Sequence, residues 1–497
     1  MVIRPLFHRS VGCIFSMDEM ALLDATAQAE LVRKGEITPR DLVDFAIARI
    51  EKLNPSINAV VNHLFEEARA QAASDQLPDG PFRGVPTLMK DMSAATAGMP
   101  SYQGNRILKE IDHRAKADTP VGKRIRGAGF VVLGKTNTPE FGLQPTTQPL
   151  SFGPTRNPYD LDRSPSGSSG GAAAAVASGM VAIAHASDGG GSIRNPASWC
   201  GLVGLKGTRG RVSRGPLIGR LGQELFVTRT VRDTALALDA LHGSEPGDLF
   251  TVEPPVRPYV EEVGAPPGSL RIGLMVDVDM EVGVDPRCVD AATAVAKLLE
   301  SLGHIVEEAH PERMFDNDFL LNAETDYSCG LNATVDALWG LIGRDVDEAD
   351  FEPYTWARMS RHASTLSSAQ IRSATWLQRY ASRISKWWRS GYDLLLTPTT
   401  GEPPALLEEL VPPHGDPWSI DRNRFARVRC FARPLNVTGH PAISLPLGWT
   451  DEGLPMGMQL VADFGREDIL IRVASQLEEV EPWAPRQSAL ISVGFAR

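Results

Sequence analysis

The chain has 497 residues, of which 42% are hydrophobic and 22% are charged, as in an ordinary globular protein. A formal net charge of −11 argues against nucleic acid as a general partner, because proteins that bind it present a basic face. The longest apolar run, Ala172 to Ala186, is broken by polar residues. It falls short of the ~20 residues that cross a bilayer, so no membrane segment is expected.

The cysteines are scattered along the chain, their number is odd, and no two of them form a Cys-x-x-Cys pair. This usage is typical of a reduced, cytoplasmic protein without disulfide bonds. No group of cysteines and histidines has the spacing of a zinc site, so the sequence predicts no metal.

The first predicted helix begins after Thr38, a capping residue that is followed by a proline and then by an acid, Asp41. Apolar residues recur at helical spacing as far as Asn54-Pro55, where the proline is predicted to end the helix. A second amphipathic helix is predicted from about Asn62 to Ala73. Helices are therefore expected over most of residues 20–75.

From about Gly84 onward, short apolar runs that end in turn or functional residues alternate with helical stretches. This alternation predicts an α/β protein whose sheet is covered by helices on both faces. The predicted strands are Val85–Met89, Phe130–Leu133, Val181–Ala184, Leu270–Met275, Leu394–Thr397, Ala442–Leu447 and Met458–Val461.

Residues from about Glu307 to Arg389 differ from the rest, because they are rich in tryptophan, aspartate and arginine. This region is predicted to be mostly helical and to form a lobe over the sheet. Tryptophan usually packs, so only a minority of the tryptophans here is expected to touch a ligand. They are Trp339, Trp356, Trp376, Trp387 and Trp388.

Two loops rich in serine and glycine carry the most specific chemical signal. The first, Ser166-Gly167-Ser168-Ser169-Gly170-Gly171, runs into an alanine-rich stretch, which places its serines at the start of a helix. The alternatives for this loop are a linker or a simple helix cap. A phosphate-binding loop does not fit, because the Gly-Lys-Ser/Thr ending is absent.

The second loop reads Asp188-Gly189-Gly190-Gly191-Ser192. Consecutive glycines let the backbone turn so that several N–H groups point into one space, where they can hold an oxyanion. A serine at the end of such a nest is placed to attack a carbonyl that is held there. A flexible Gly-Ser turn is the alternative interpretation.

Lys90 ends the apolar, strand-like run that begins at Gly84. A lone lysine on a strand is ordinarily solvated, but a lysine at the tip of a buried strand is partly desolvated. Desolvation lowers the pKa of the amine and makes it available as a base. A histidine triad competes poorly, since no Gly-x-Ser-x-Gly elbow forms around these serines. His185 fits a packed core residue and His440 a loop residue.

These segments resemble the amidase signature family over nearly the whole chain. The resemblance implies an amidase-signature fold: a central mixed β-sheet covered by helices on both faces, in one domain formed by residues 1–497. The matching motifs are Gly84-Val85-Pro86 with Lys90-Asp91, Gly134 to Phe141, Gly167 to Gly171, Gly190 to Ala197, Gly201 to Lys206, Asn436 to Ala442 and Met456 to Leu460.

The resemblance also implies a Ser-cisSer-Lys triad. Ser192 would be the nucleophile, Ser168 the bridging serine with a cis peptide bond before it, and Lys90 the base. No metal or cofactor is implied. The implied oxyanion donors are the backbone amides of Gly189, Gly190, Gly191 and Ser192.

Three positions depart from the usual pattern of this family. Ser166 stands where glycine is common, Gly189 where a bulkier residue is common, and Gly207 where proline is frequent. None of them removes a member of the triad. Gly189 leaves open a wider or looser pocket.

The expected activity is that of a serine hydrolase, which cleaves amide C–N bonds of small linear or cyclic amides through an acyl-enzyme on Ser192. Within the family, the chain resembles the subgroup of 6-aminohexanoate cyclic-dimer hydrolases, aryl acylamidases and urethanases. A urethanase or aryl acylamidase with the same triad is the first alternative. The second is an amidotransferase subunit of a larger complex, and the third is a non-catalytic binding protein.

The expected partner is a small-molecule amide or carbamate, and neither nucleic acid nor a membrane is expected. The sequence leaves the oligomeric state open, with a homodimer among the candidates. The lobe from about residue 307 to 389 is expected to shape substrate choice.

Overall fold

An eleven-stranded sheet organises the computed structural model, which describes residues 16–215, 221–411 and 422–493. Its strands are β1 (Val60–His63), β2 (Pro86–Lys90), β3 (Val131–Thr136), β4 (Ile183–Asp188), β5 (Val203–Lys206), β6 (Gln223–Thr228), β7 (Arg271–Leu274), β8 (Ile305–Glu308), β9 (Leu394–Pro398), β10 (Ala442–Trp449) and β11 (Pro455–Ala462). Their order across the sheet is β1-β3-β2-β4-β6-β5-β10-β11-β9-β7-β8. The predicted strands are confirmed.

The sheet is mixed. Strands β3, β2 and β4 run parallel, as do β9, β7 and β8 at the other side of the sheet. The strands between these two groups pair antiparallel. Because β2, β3, β4 and β6 are buried at every position, helices cover both faces of the sheet, as parallel strands require. The predicted α/β amidase-signature architecture is confirmed.

Seventeen α-helices lie within the described ranges. They are α1 (Met17–Leu22), α2 (Ala25–Arg33), α3 (Pro39–Ile57), α4 (Phe65–Ala72), α5 (Arg106–Glu110), α6 (Pro120–Gly127), α7 (Gly170–Ala177), α8 (Arg194–Trp199), α9 (Val231–Leu241), α10 (Pro286–Ser301), α11 (Asn317–Ile342), α12 (Pro353–His362), α13 (Ser367–Ser385), α14 (Arg422–Arg429), α15 (Arg433–Thr438), α16 (Glu467–Val480) and α17 (Ala484–Val493). Of these helices, none combines the length and the apolar character needed to cross a membrane.

The N-terminal helices differ from the prediction in two places. Helix α3 starts at the predicted cap, Thr38, but continues through Pro55 to Ile57. A proline in the last turn removes one helical hydrogen bond, and the Asn54 side chain accepts hydrogen bonds from the amides of Ala59 and Val60, both at 2.8 Å. The predicted second helix begins too early, because residues 60–63 pair with β3 as a strand.

The predicted helical region from 307 to 389 is confirmed as α11, α12 and α13, preceded by the short strand β8. Helix α11 packs against both α12 and α13, and α13 packs against α15. Trp388 is buried and stacks on His440 at 4.2 Å between ring centroids, while Trp376 stacks on Tyr380 at 5.5 Å. The side chain of Trp339 lies outside the described residues.

Candidate active site

A cavity of about 210 Å³ opens where the two serine-glycine loops face helices α11 and α12. Ser168, Ser192, Gly189 and Gly190 line it, so the two loops that the sequence singled out meet in space. Ser187, for which the sequence gave no role, lines it as well. Residues of four helices, α11, α12, α14 and α15, line it too.

Lys90 lies directly beneath this cavity at the end of β2, and it is completely buried. Its Nζ donates hydrogen bonds to Ser168 Oγ at 2.7 Å and to Ser187 Oγ at 3.0 Å. Burial lowers the pKa of Lys90 to about 7, although the charges of Glu224 and Asp188 act in the opposite direction. A substantial fraction of the amine is therefore neutral near pH 7 and can accept a proton.

The first serine loop presents Ser168 to this lysine. The Gly167–Ser168 peptide bond is cis, as the family resemblance implies, and Ser168 is 3% exposed. Ser169 precedes helix α7 but does not cap it. Its Oγ instead donates to the carbonyl oxygen of Ser187 at 3.2 Å. The simple helix-cap interpretation of this loop is therefore wrong.

Ser192 is half-buried at the other side of the same cavity. Within the described part of the chain, no hydrogen bond joins Ser168 to Ser192. The chain of hydrogen bonds expected from Lys90 through Ser168 to Ser192 is thus formed in its first half only. Catalytic hydrogen bonds commonly tighten in the complex with substrate. The two serines line the same cavity, which is the arrangement that such a complex requires.

Asp188 shapes the glycine loop from within. Its carboxylate accepts hydrogen bonds from the amide of Gly191 at 2.7 Å and from the amide of Ile193 at 3.2 Å. The Gly191 amide is therefore directed to Asp188, in contrast to its expected place among the oxyanion donors. In the described structure, the other three expected donors make no hydrogen bond: the amides of Gly189, Gly190 and Ser192.

A buried ion pair holds Asp188 in place. Arg194 donates to both carboxylate oxygens, at 2.9 and 3.1 Å, and Asn436 donates to Asp188 Oδ1 at 2.9 Å. Burial by itself raises the pKa of Asp188, but the charge and hydrogen bonds of Arg194 and the hydrogen bond from Asn436 outweigh burial and hold it well below its usual range. In the sequence, Asp188 and Arg194 flank the glycine loop as Asp-Gly-Gly-Gly-Ser-Ile-Arg. Two opposite charges at the ends of this loop are the signal from which an ion pair across it could have been predicted.

His185 is a packed core residue, as its place in an apolar strand predicted. It is completely buried in β4, and its Nε2 lies 3.0 Å from Glu224 Oε2. Burial lowers the pKa of His185, so the ring favours its neutral form. Glu224 also binds Arg214 at 2.8 Å. The sequence analysis missed Glu224, which lies on β6, and Arg214, which precedes that strand, because both are far along the chain from His185.

Residues of the helical region and of two later helices form another part of the cavity wall. Tyr327 and Leu331 of α11 and Arg358 of α12 line the cavity, together with Arg429 and Arg433 from α14 and α15. No described tryptophan side chain of the region lines it. Sequence reasoning anticipated the region but none of these residues, because no local motif distinguishes them.

The three departures from the family pattern have structural explanations. Ser166 has a φ of 64°, a left-handed conformation in which glycine is favoured. A Cβ added at Gly189 would meet no atom within 4 Å, so the glycine leaves open space beside the cavity. A Cβ at Gly207 would make ordinary contact with Arg211 at 3.6 Å.

Among the residues that the structure describes, no group of three or more His, Cys, Asp or Glu side chains is arranged to hold a metal ion.

The chain is similar to known proteins over nearly its whole length. The Amidase family model matches residues 41–471. A 6-aminohexanoate-cyclic-dimer hydrolase of Paenarthrobacter ureafaciens is 42% identical over 481 residues, which covers 94% of this chain and 97% of the relative. The solved structure of a 6-aminohexanoate cyclic dimer hydrolase complexed with substrate matches with a TM-score of 0.90 at 41% identity and covers 95% of this chain and 100% of that chain.

A bacterial aryl acylamidase of the amidase signature family is a further structural neighbour. It matches with a TM-score of 0.85 at 29% identity, over 95% of this chain and 99% of the other. The family model alone spans more than half of this sequence. The chain belongs to the amidase signature family, as a hydrolase of carbon–nitrogen bonds in small-molecule amides.

Proposed function

We propose that Ser192 is the nucleophile of this amidase and that Lys90 activates it through Ser168. The observation that carries the proposal is the 2.7 Å hydrogen bond between Lys90 Nζ and Ser168 Oγ, at the base of a cavity that Ser192 also lines. A nucleophilic serine needs a base within reach. Lys90 is buried beyond direct contact with solvent, so Ser168 is the group that links it to the cavity.

Acylation follows from this arrangement. Neutral Lys90 takes the proton of Ser168, and Ser168 takes the proton of Ser192 as Ser192 Oγ bonds to the amide carbon. The tetrahedral intermediate carries its negative charge on the former carbonyl oxygen. When the C–N bond breaks, the proton returns through Ser168 to the departing amine, so that a neutral amine leaves.

The amides of Gly189, Gly190 and Ser192 are the proposed oxyanion donors. They lie in a loop that Asp188 and Arg194 hold rigidly from below, and donors fixed in advance lose little energy to reorganisation during the reaction. The Gly191 amide supports this loop through Asp188 and is not counted as a donor.

Deacylation uses the same groups, with water in place of the departed amine. The water molecule loses a proton through Ser168 to Lys90 as its oxygen bonds to the ester carbon. When the C–O bond to Ser192 breaks, the proton returns through Ser168 to Ser192 Oγ, so the products are a carboxylic acid and free Ser192. The net reaction adds one water across the C–N bond, with no group consumed from the enzyme.

For the substrate, we propose small linear or cyclic amides. The relatives described above are named for a cyclic dimer of 6-aminohexanoate and for aryl acylamides. A cavity of about 210 Å³ suits a small molecule. Hydrolysis of carbamates is the alternative that the same triad would perform, and the amidotransferase-subunit alternative would require partner chains.

We also propose that the chain is a single catalytic domain that acts in the cytoplasm. One sheet takes strands from residue 60 to residue 462, which supports a single domain. Cys200, Cys288, Cys329 and Cys430 are free thiols, which supports a reducing compartment. Cys13 lies outside the described residues.

The decisive experiment is a hydrolysis screen with the purified enzyme over matched short amides, cyclic amides, anilides and carbamates, with Ser192→Ala as the blank. The proposal is supported if the wild type releases amine from amides and Ser192→Ala does not. A kcat/KM that is higher for a carbamate than for its matched amide would assign a urethanase. Activity only with added partner chains and ATP would assign an amidotransferase subunit.

A further inference from the structure

Part of the cavity wall carries a surplus of positive charge. Arg358, Arg429 and Arg433 line it, and all three lower the pKa of one partly buried carboxyl group, Glu324, against the effect of its burial. The acids that line the cavity are Asp326 and Asp188, and Asp188 is bonded to Arg194. The lining therefore carries more guanidinium groups than carboxylates.

Two of the three arginines have partners. Arg358 lies 2.7 Å from Glu324 Oε2 and donates to Ser328 Oγ at 3.1 Å. Arg429 donates to the carbonyl oxygen of Phe425 at 3.2 Å. Arg358 thus makes the shorter of the two ion pairs to Glu324 Oε2.

Arg433 is the exception. It is only 7% exposed, yet within the described part of the chain its guanidinium group makes no hydrogen bond. Its one ion pair there is a long one, 3.9 Å from Glu324. Burying a charged group whose hydrogen-bond donors are unused is costly, so this guanidinium group at a cavity wall indicates a ligand that accepts hydrogen bonds from it.

Arg433 lies close to the proposed oxyanion loop. Its Cγ is 3.7 Å from the position that a Cβ of Gly190 would take, and the preceding residue, Ala432, packs on Gly191. One turn further along α15, Asn436 binds Asp188 at 2.9 Å. Helix α15 is thus fixed to this loop, and a group bound by Arg433 would lie near the scissile carbonyl.

Arg433 remains charged at neutral pH. Its pKa is lowered to about 10, first by burial and then by Arg429, while Glu324 acts in the opposite direction. A planar guanidinium group with free donors binds a carboxylate through two parallel hydrogen bonds.

We propose that Arg433 binds a carboxylate of the substrate, so that the preferred amides carry a negative charge near the bond that is cut. The inference rests on the proposed function, because it names the substrate class of the same site. The carboxylate belongs either to the acyl part or to the amine part of the amide, and the test distinguishes the two.

Matched substrates test the proposal. Glutaric acid monoamide is compared with pentanamide for the acyl part, and N-butyryl-β-alanine with N-propylbutanamide for the amine part. We expect the acidic member of one pair to have a kcat/KM roughly 10- to 100-fold higher, the worth of a charge-assisted hydrogen bond. This preference should fall to near unity in Arg433→Gln.

Arg427→Gln is the matched control. Arg427 also lies on the α14–α15 segment, but it binds the carbonyl oxygen of Val282 at 2.7 Å and does not line the cavity. Its loss should leave the preference for the acidic substrate intact. If Arg433→Gln does not fold by circular dichroism, Arg433→Lys replaces it, and an intermediate preference is then expected because lysine keeps the charge but not the planar fork.

Binding of glutarate, followed by calorimetry, provides a readout without turnover. We expect glutarate to bind wild type and Ser192→Ala alike, and to bind the Arg433 variant at least about tenfold more weakly. Equal rates for acidic and neutral substrates, or a preference that survives in the Arg433 variant, would overturn the inference and leave the amidase intact. Arg433-dependent glutarate binding without any amide hydrolysis would retain the inference and overturn the proposed function.

Discussion

Lys90 Nζ lies 3.0 Å from Ser187 Oγ, so the buried amine contacts a second hydroxyl in addition to that of Ser168. Ser187 is the penultimate residue of β4, and its carbonyl oxygen accepts a hydrogen bond from Ser169 Oγ. The lysine is therefore held between the first serine loop and the strand that leads into the glycine loop. A small displacement of either loop changes the environment of the proposed base.

Replacement of Ser187 tests whether its hydroxyl adjusts the pKa of Lys90 without taking part in proton transfer. A hydroxyl that accepts a hydrogen bond from the charged amine favours the charged form, so Ser187→Ala should lower the pKa of Lys90 further. We expect the pH–rate profile to move to lower pH by roughly half a unit to one unit, since a hydrogen bond is worth about 1 kcal/mol. Ser168→Ala should instead remove most of the turnover. Equal loss in both variants would contradict this division.

The proposed nucleophile gives the simplest prediction. Ser192→Ala should reduce kcat by on the order of 10⁴-fold or more, because no other group forms the covalent intermediate. Mass spectrometry after treatment with a serine-reactive phosphonate should find the label on Ser192. A label on Ser168 or Ser187, with activity retained in Ser192→Ala, would assign the nucleophile elsewhere.

The pH dependence of the rate should report Lys90. Its pKa of about 7 means that the amine is protonated, and unable to accept a proton, at lower pH. The rate should therefore rise with pH through about 7 and level off above it. Lys90→Arg should be inactive, since a guanidinium group stays protonated. The assignment fails if the same ionisation persists in Lys90→Ala.

The buried pair of Asp188 and Arg194 should support both stability and rate. Asp188→Asn leaves a buried guanidinium group without its counter-charge, which costs about 3–5 kcal/mol of unfolding free energy. The depressed pKa of Asp188 means that its stabilisation is present above the unfolded value of about 3.9 and declines only as the pH falls below it. Asp468→Asn, in an exposed pair with Arg466, is the control and should cost less than about 1 kcal/mol. Urea titration measures both.

A pair of buried carboxyl groups makes stability depend on pH in the opposite sense. Burial, and then the charge of Glu140, raise the pKa of Glu352 to about 8. Because its folded pKa lies above the unfolded value, its stabilisation is present below about pH 4.3 and is lost as the pH rises through about 8. Glu352→Gln should flatten the fall in Tm between about pH 5 and 8.

Glu36→Gln, at an exposed position, is the control for that measurement and should leave the pH dependence unchanged. A Tm that falls equally in the wild type and in Glu352→Gln would show that another group dominates this pH range.

Local patterns predicted seven of the eleven strands and the two serine loops, because that information lies within a few residues; β1, β5, β6 and β8 were not predicted. The run that ends in Lys90 has the apolar character and length of a buried strand, and three consecutive glycines before Ser192 let several backbone amides point into one space. The error at Pro55 arose because the compensating hydrogen bonds come from Asn54, a side-chain contact that the helical pattern does not contain. Strand β1 was missed because its partner, β3, lies about 70 residues later.

The remaining parts of the site depend on contacts between distant segments. Glu224 on β6 contacts His185 on the neighbouring strand β4. Arg433 lines the cavity although it lies more than 200 residues after both serine loops. The role of Gly191 was misjudged for a similar reason. Three consecutive glycines predict several free backbone amides. Only the position of the Asp188 carboxylate shows that the Gly191 amide is hydrogen-bonded to it.

The placement of the helical lobe in the chain has a consequence for engineering. Residues 317–385 leave the sheet after β8, an edge strand, and return to it at β9. The lysine and both serine loops all precede residue 193. A graft of the 317–385 segment between relatives would exchange one wall of the cavity without breaking a strand pairing. Recombination could thus change the substrate range while Lys90, Ser168 and Ser192 stay in place.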